Sequence, residues 1–123
     1  MLSLDRGGSC EGIVYRLDEA RLPADLAMLI EREPPIPPEW IEVDTASGRV
    51  SALAFVCIPG GQGHIADMTP AAIARQIAPA VGLFGSMADY VLNTASHLEE
   101  MGIADPAVWQ MQDLVAAELE AMP

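Results

Sequence analysis

The apolar positions of the chain fall into two rhythms, an alternating one early and a helical one late. Met1 to Leu4 and Gly12 to Leu17 carry β-branched and aromatic residues on either side of the turn-forming stretch Asp5-Arg6-Gly7-Gly8-Ser9, which predicts two strands joined by a loop. From Leu22 to Glu33 the residues Leu22, Leu26, Leu29 and Ile30 recur at i, i+4, i+7 and i+8, the spacing of one helix face. Pro34, Pro35, Pro37 and Pro38 follow and stop that helix, because proline has no amide hydrogen and turns its predecessor away from helical geometry. Ile41 to Asp44 and Val50 to Ile58 predict a second antiparallel hairpin about Thr45-Ala46-Ser47-Gly48-Arg49, with the longer strand central.

Pro59-Gly60-Gly61-Gln62-Gly63-His64 reads as a loop; its glycines are irregular and no Lys-Ser/Thr follows, so it is no phosphate cradle. Three helices then begin at Thr69-Pro70, at Ser86 with Asp89 three residues on, and at Asp105-Pro106. Gly82 and Gly102 stand where their C-caps are expected, and Ile73, Ile77 and Val81 line one face of the first. Strands first and helices last predict an α+β fold, a mainly antiparallel, barrel-like sheet with packed helices, in a single domain over residues 1–123.

Composition narrows the partners. The 123 residues hold 18 acidic side chains against 6 basic ones, a net charge of −12, which repels nucleic acid. Charged residues or proline break every apolar run short of the roughly 20 residues of a membrane helix, so no membrane partner is expected. The first residues lack the basic and apolar pattern of a secretory signal, which predicts a cytoplasmic setting. Cys10 and Cys57 are too few and too far apart for a disulfide framework or a zinc site, and both are expected as free buried thiols.

Few residues offer chemistry. With Leu26 at zero and about 100° per residue, Glu33 falls near ~340° on the helical wheel, inside the apolar face. A carboxylate there loses hydration and becomes suited to trading protons near neutrality, the profile of a general acid/base. The plainer alternative is a helix terminator that the prolines turn out to solvent, and the pattern leaves both open. Tyr90 shares a face with Met87, Val91, Thr94, Leu98 and Met101, which predicts a buried ring whose hydroxyl either orients a ligand or ties the helix down. His64 and His97 stand alone and read as solvated, with no metal expected. No Gly-x-Ser-x-Gly elbow is present, and Glu118 to Glu120 read as a solvated helix face.

Several segments in order resemble ChaC-like gamma-glutamylcyclotransferases: Met1-Leu2-Ser3-Leu4 with Gly7-Gly8-Ser9-Cys10, Gly12-Ile13-Val14-Tyr15-Arg16-Leu17, and Glu31-Arg32-Glu33. Ala52-Leu53-Ala54-Phe55-Val56, Ile73 to Ala78, Gly85 to Asn93 and Leu98 to Asp105 continue the resemblance. It implies that Glu33 is the catalytic acid/base and that Tyr90 helps shape the substrate pocket. The reaction implied is cyclisation of glutathione, or another gamma-glutamyl amide, to 5-oxoproline with release of the amine, without a cofactor or metal.

Members of that family open with a strand and a Tyr-Gly-Ser-Leu loop that holds the glutamyl carboxylate. Met1 matches an internal position, so the resemblance implies an N-terminally truncated domain without that strand and loop. The Pro34-Pro35-Ile36-Pro37-Pro38 segment is shorter than its family counterpart and lacks the usual Gly-Tyr. A second reading, from a different class, is a catalytically silent remnant that binds or self-associates through its exposed first strand.

Overall fold

The computed structural model describes residues 2–33, 36–61, 64–65 and 67–123. These divide into two compact units, one over residues 2–64 and one over the described part of 65–123. Among the described residues the architecture is mixed, with four helices and small antiparallel sheets.

In the first unit, α1 runs over Leu22–Arg32. Its start carries a proline in the first turn and an ion pair one turn apart, Arg21 Nη2 to Asp25 Oδ1 at 3.1 Å. The helix forms where the apolar spacing predicts it, yet none of its residues is fully buried, and Leu22 and Ile30 stay exposed. Of the prolines expected to stop it, Pro34 and Pro35 lie outside the described residues.

Strands β1 (Glu39–Thr45) and β2 (Gly48–Ala54) form the expected antiparallel hairpin, with Trp40 opposite Leu53 and Val43 opposite Val50. The turn is fixed locally. Thr45 Oγ1 donates to the Gly48 carbonyl at 2.7 Å, and Gly48 has φ 123°, a region that penalises any residue with a Cβ. Beside it, Arg49 meets Asp44 at 2.7 and 3.1 Å, and the carboxylate pushes the guanidinium above its ordinary value.

Two strand expectations are corrected. β2 is not central: it ends at Ala54 and pairs with β1 alone in a two-stranded sheet. The opening hairpin does not form either. Among the described residues, 2–18 contain only an isolated parallel bridge, Leu4 to Val56, with the Cys57 N–H donating to the Leu4 carbonyl at 2.7 Å. The reason lies in pairing: strand propensity needs a neighbouring ladder, and Ile13, Val14 and Tyr15 lie exposed, Tyr15 at 77 %. Cys57 is buried as expected, whereas Cys10 is exposed; both are free.

The second unit is helical. α2 (Pro70–Ile77), α3 (Met87–Glu100) and α4 (Pro106–Ala121) each begin on the cap the sequence marks. Thr69 Oγ1 accepts from the Ala72 N–H at 3.3 Å, Ser86 Oγ from Asp89 at 3.1 Å, and Asp105 Oδ1 from both Ala107 and Val108 at 3.1 Å. Both α2 and α3 pack on α4.

Small residues carry the α2–α4 contact: Ala74, with no exposed surface, and Ala78 meet Val115, flanked by Ile77, Met111 and Leu114. Val91 and Ala95 of α3 and Val108 of α4 complete the buried set of this unit, at the four- and seven-residue spacings of core-facing stripes. Gly102 ends α3 as expected. Its φ is 70°, its N–H donates to the Glu99 carbonyl, and the Ile103 N–H donates to the Leu98 carbonyl, the two bonds of a Schellman motif.

Gly82 does not cap α2, which stops four residues earlier with Ala78 as C-cap. Gly82 instead belongs to a miniature hairpin, β3 (Val81–Gly82) with β4 (Gly85–Ser86), where Gly82 pairs with Gly85. Val81 follows the chain out of the helix, is 77 % exposed, and does not extend the face of Ile73 and Ile77.

Candidate functional site

Glu33 is the C-cap of α1. Its backbone leaves the helix in an extended conformation, φ −79° and ψ 156°, while its N–H still donates to the Leu29 carbonyl at 3.1 Å. The backbone is thus anchored to the last turn at the point where the chain turns away. The side chain is half-buried, and among the described residues its carboxylate has no hydrogen-bond or ion-pair partner. Both oxygens remain available to accept a proton or a hydrogen bond from a ligand.

Tyr90 lies on α3, in the other unit. The expectation of a buried ring is corrected: the residue is 37 % exposed, because the buried stripe of α3 runs through Val91 and Ala95, one position round the helix. Tyr90 borders an open groove of about 540 Å³ lined by Phe84, Ser86, Asp89, Asn93 and His97 among others. Thr94, also on its wall, donates through Oγ1 to the Tyr90 carbonyl at 2.8 Å.

One of the two histidines differs from its sequence reading. His64 is only 16 % exposed in its side chain. The Gly60 N–H donates to its Nδ1 at 3.1 Å, and its Nε2 lies 3.6 Å from Asp5 Oδ2. It links two loops of the first unit. His97 is exposed, as read, but it shares its helix stripe with Asn93 and Tyr90. The signal for that groove was present in the sequence as polar residues at 86, 89, 90, 93, 94 and 97, the spacing of one helix face. Among the described residues no three His, Cys, Asp or Glu side chains gather in a way that could hold a metal ion. No helix of the described residues is long and apolar enough to cross a membrane.

A family model described as ChaC-like protein matches residues 1–118, through both units. The chain is 34 % identical over 109 residues to the glutathione-specific gamma-glutamylcyclotransferase of Escherichia coli strain K12, an alignment that takes in 85 % of this chain and 47 % of that protein. The chain therefore spans about half the length of the curated relative it matches. No solved structure matches it.

Proposed function

The chain belongs to the ChaC-like protein family, and on that premise we propose that it acts as a gamma-glutamylcyclotransferase on glutathione or another gamma-glutamyl amide. The observation that carries the reading is the match over residues 1–118, together with the name of the E. coli relative. Glu33 is the proposed acid/base. Its support is the unpartnered carboxylate at the end of α1, where the backbone anchor to Leu29 holds the residue.

The proposed chemistry stays within one substrate. The Glu33 carboxylate takes a proton from the α-ammonium, and the freed amine forms a bond to the γ-carbonyl carbon. The γ-amide C–N bond then breaks as Glu33 returns its proton to the departing nitrogen. The products are 5-oxoproline and, from glutathione, cysteinylglycine. The ring nitrogen, left protonated by the attack, gives its extra proton to the released amine, so two protons pass from the α-nitrogen to the departing nitrogen, one of them through Glu33, and no electrons are exchanged. Nucleophile and electrophile belong to one glutamyl unit, so holding that unit curled supplies much of the acceleration and the scheme calls for no cofactor. Tyr90 is the proposed substrate-binding residue of the second unit, supported by its place on the groove wall.

The whole chain is read as one gamma-glutamylcyclotransferase-like domain in a cytoplasmic setting. Barrel-like closure of its sheet belongs to the same proposal. It is supported by the Leu4–Val56 bridge, which brings a third backbone segment alongside the chain just beyond β2. Self-association through the first segment is compatible with it and is supported by the exposure of Leu2 and Leu4.

The test is release of 5-oxoproline from glutathione by the chain, beside a Glu33→Gln variant. Activity that disappears in the variant supports both enzyme class and residue; activity that survives the substitution removes Glu33 from the mechanism.

A further inference from the structure

The two ring nitrogens of His64 face two different segments of the first unit, and the two contacts favour opposite protonation states. The Gly60 N–H donates to Nδ1 at 3.1 Å, so Nδ1 carries no proton and the neutral ring keeps its own N–H on Nε2. Nε2 faces Asp5 Oδ2 at 3.6 Å, beyond hydrogen-bond reach. Backbone bonds from the Gly61 N–H to the Ile58 carbonyl at 2.8 Å and from the His64 N–H to the Gly61 carbonyl at 3.2 Å fold the chain back so that the ring meets Gly60. The imidazole is 16 % exposed and the Asp5 carboxylate 61 %, which makes the carboxylate the partner free to move.

We propose that His64 is a pH-operated latch: the neutral ring holds Gly60, and the protonated ring releases Gly60 and takes hold of Asp5. A proton added at Nδ1 turns the acceptor into a donor, so the Gly60 N–H loses its partner. Gly60 is exposed, and water takes that bond over. The same proton makes the ring a cation, and the contact from Nε2 to Asp5 becomes charge-assisted, drawing the pair from 3.6 Å towards roughly 2.8 Å. Imidazole takes up its proton between about pH 8 and 5, so the exchange of partners falls in the physiological range.

Among the described residues Asp5 supplies the carboxylate within ion-pair reach of the ring. Arg6, next along the opening segment, spends its guanidinium on Glu39 of β1 and offers Asp5 only its backbone N–H, which donates to Oδ1 at 2.8 Å. Ile58 to Gly61 carry no charge. Leu4, one residue before Asp5, bridges to Val56 and accepts from the Cys57 N–H, so a pull on Asp5 reaches the point where the opening segment joins the chain beyond β2. The latch does not depend on the cyclotransferase chemistry.

The test is an NMR titration of the full chain, labelled with nitrogen-15, from pH 8 to pH 5. At pH 8 the His64 ring is expected to show an unprotonated Nδ1. On acidification the Gly60 amide proton is expected to move upfield as its bond is lost, and the amides of Leu4, Asp5 and Arg6 to shift with the same midpoint as the ring. Asp5→Asn, which keeps an acceptor for the Arg6 N–H, is expected to retain the Gly60 response and lose the response of the opening segment. His64→Asn, which keeps an acceptor near the place of Nδ1 and never becomes charged, is expected to lose both.

A proton on Nδ1 at pH 8, a Gly60 amide indifferent to pH, or an opening segment that responds equally in Asp5→Asn overturns the latch. Loss of the opening-segment response in Asp5→Asn with the Gly60 response intact supports it, even where His64→Asn does not fold.

Discussion

Arg6 places a single guanidinium nitrogen, Nη2, on both carboxylate oxygens of Glu39, at 2.7 and 2.9 Å. This contact ties the segment after Leu4 to the first residue of β1, and Leu4 itself bridges to Val56 just beyond β2. One nitrogen shared between two oxygens lacks the fixed fork of a paired guanidinium, and both side chains reach solvent. The coupling between Arg6→Ala and Glu39→Ala in a double-mutant cycle is therefore expected at about 0.5 kcal/mol and to shrink in high salt. Urea denaturation at two ionic strengths measures it; a coupling of several kcal/mol would show that the tether organises far more than its own pair.

Ala74 has no exposed surface and sits where α2 meets Val115 of α4. A larger side chain there must push the helices apart or leave its rotamer. Ala74→Leu is expected to destabilise the chain by about 1–3 kcal/mol. The same substitution at the exposed Ala71 should have little effect, and thermal unfolding of the two variants compares them.

Asp105 accepts two backbone N–H groups at the start of α4, the longest helix among the described residues. Asp105→Ala leaves both donors to water and is expected to cost about 1 kcal/mol, with Asp105→Asn recovering most of it. Amide hydrogen exchange in the first turn of α4 should rise in the alanine variant before global stability falls. Unchanged protection there would mean that packing alone holds the turn.

Gly102 at φ 70° closes α3, and both of its flanking carbonyl bonds depend on that conformation. Gly102→Ala is expected to lose about 1 kcal/mol, since a Cβ strains this region of backbone space although no neighbouring atom obstructs it. A Gly102→Asn variant should fall between the two. Chemical denaturation orders the three proteins.

Glu33→Gln keeps the shape of the side chain and removes its capacity to accept and return a proton. Release of 5-oxoproline is expected to drop by a factor of about 10²–10⁴, with folding stability nearly unchanged because the carboxylate has no partner to lose among the described residues. A loss of stability in step with activity would mark Glu33 as a structural group.

What the sequence determined by itself was whatever short-range chemistry controls. The three helix starts at Thr69, Ser86 and Asp105 follow from side-chain oxygens within three residues of the amides they cap, and the stop at Gly102 from one backbone angle. The β1–β2 hairpin and the end of α1 at Glu33 are local in the same sense. Tertiary structure decided everything that requires a distant neighbour. Gly12 to Leu17 has the composition of a strand but no ladder beside it among the described residues, and Gly82, spaced as a helix cap, pairs with Gly85 instead. Tyr90 shows the limit most plainly: periodicity put it on an apolar face, while the packing of α3 on α4 selected the stripe of Val91 and Ala95 and turned Tyr90 toward the groove. A helix wheel gives angles between residues; only the neighbouring helix fixes which angle faces inward.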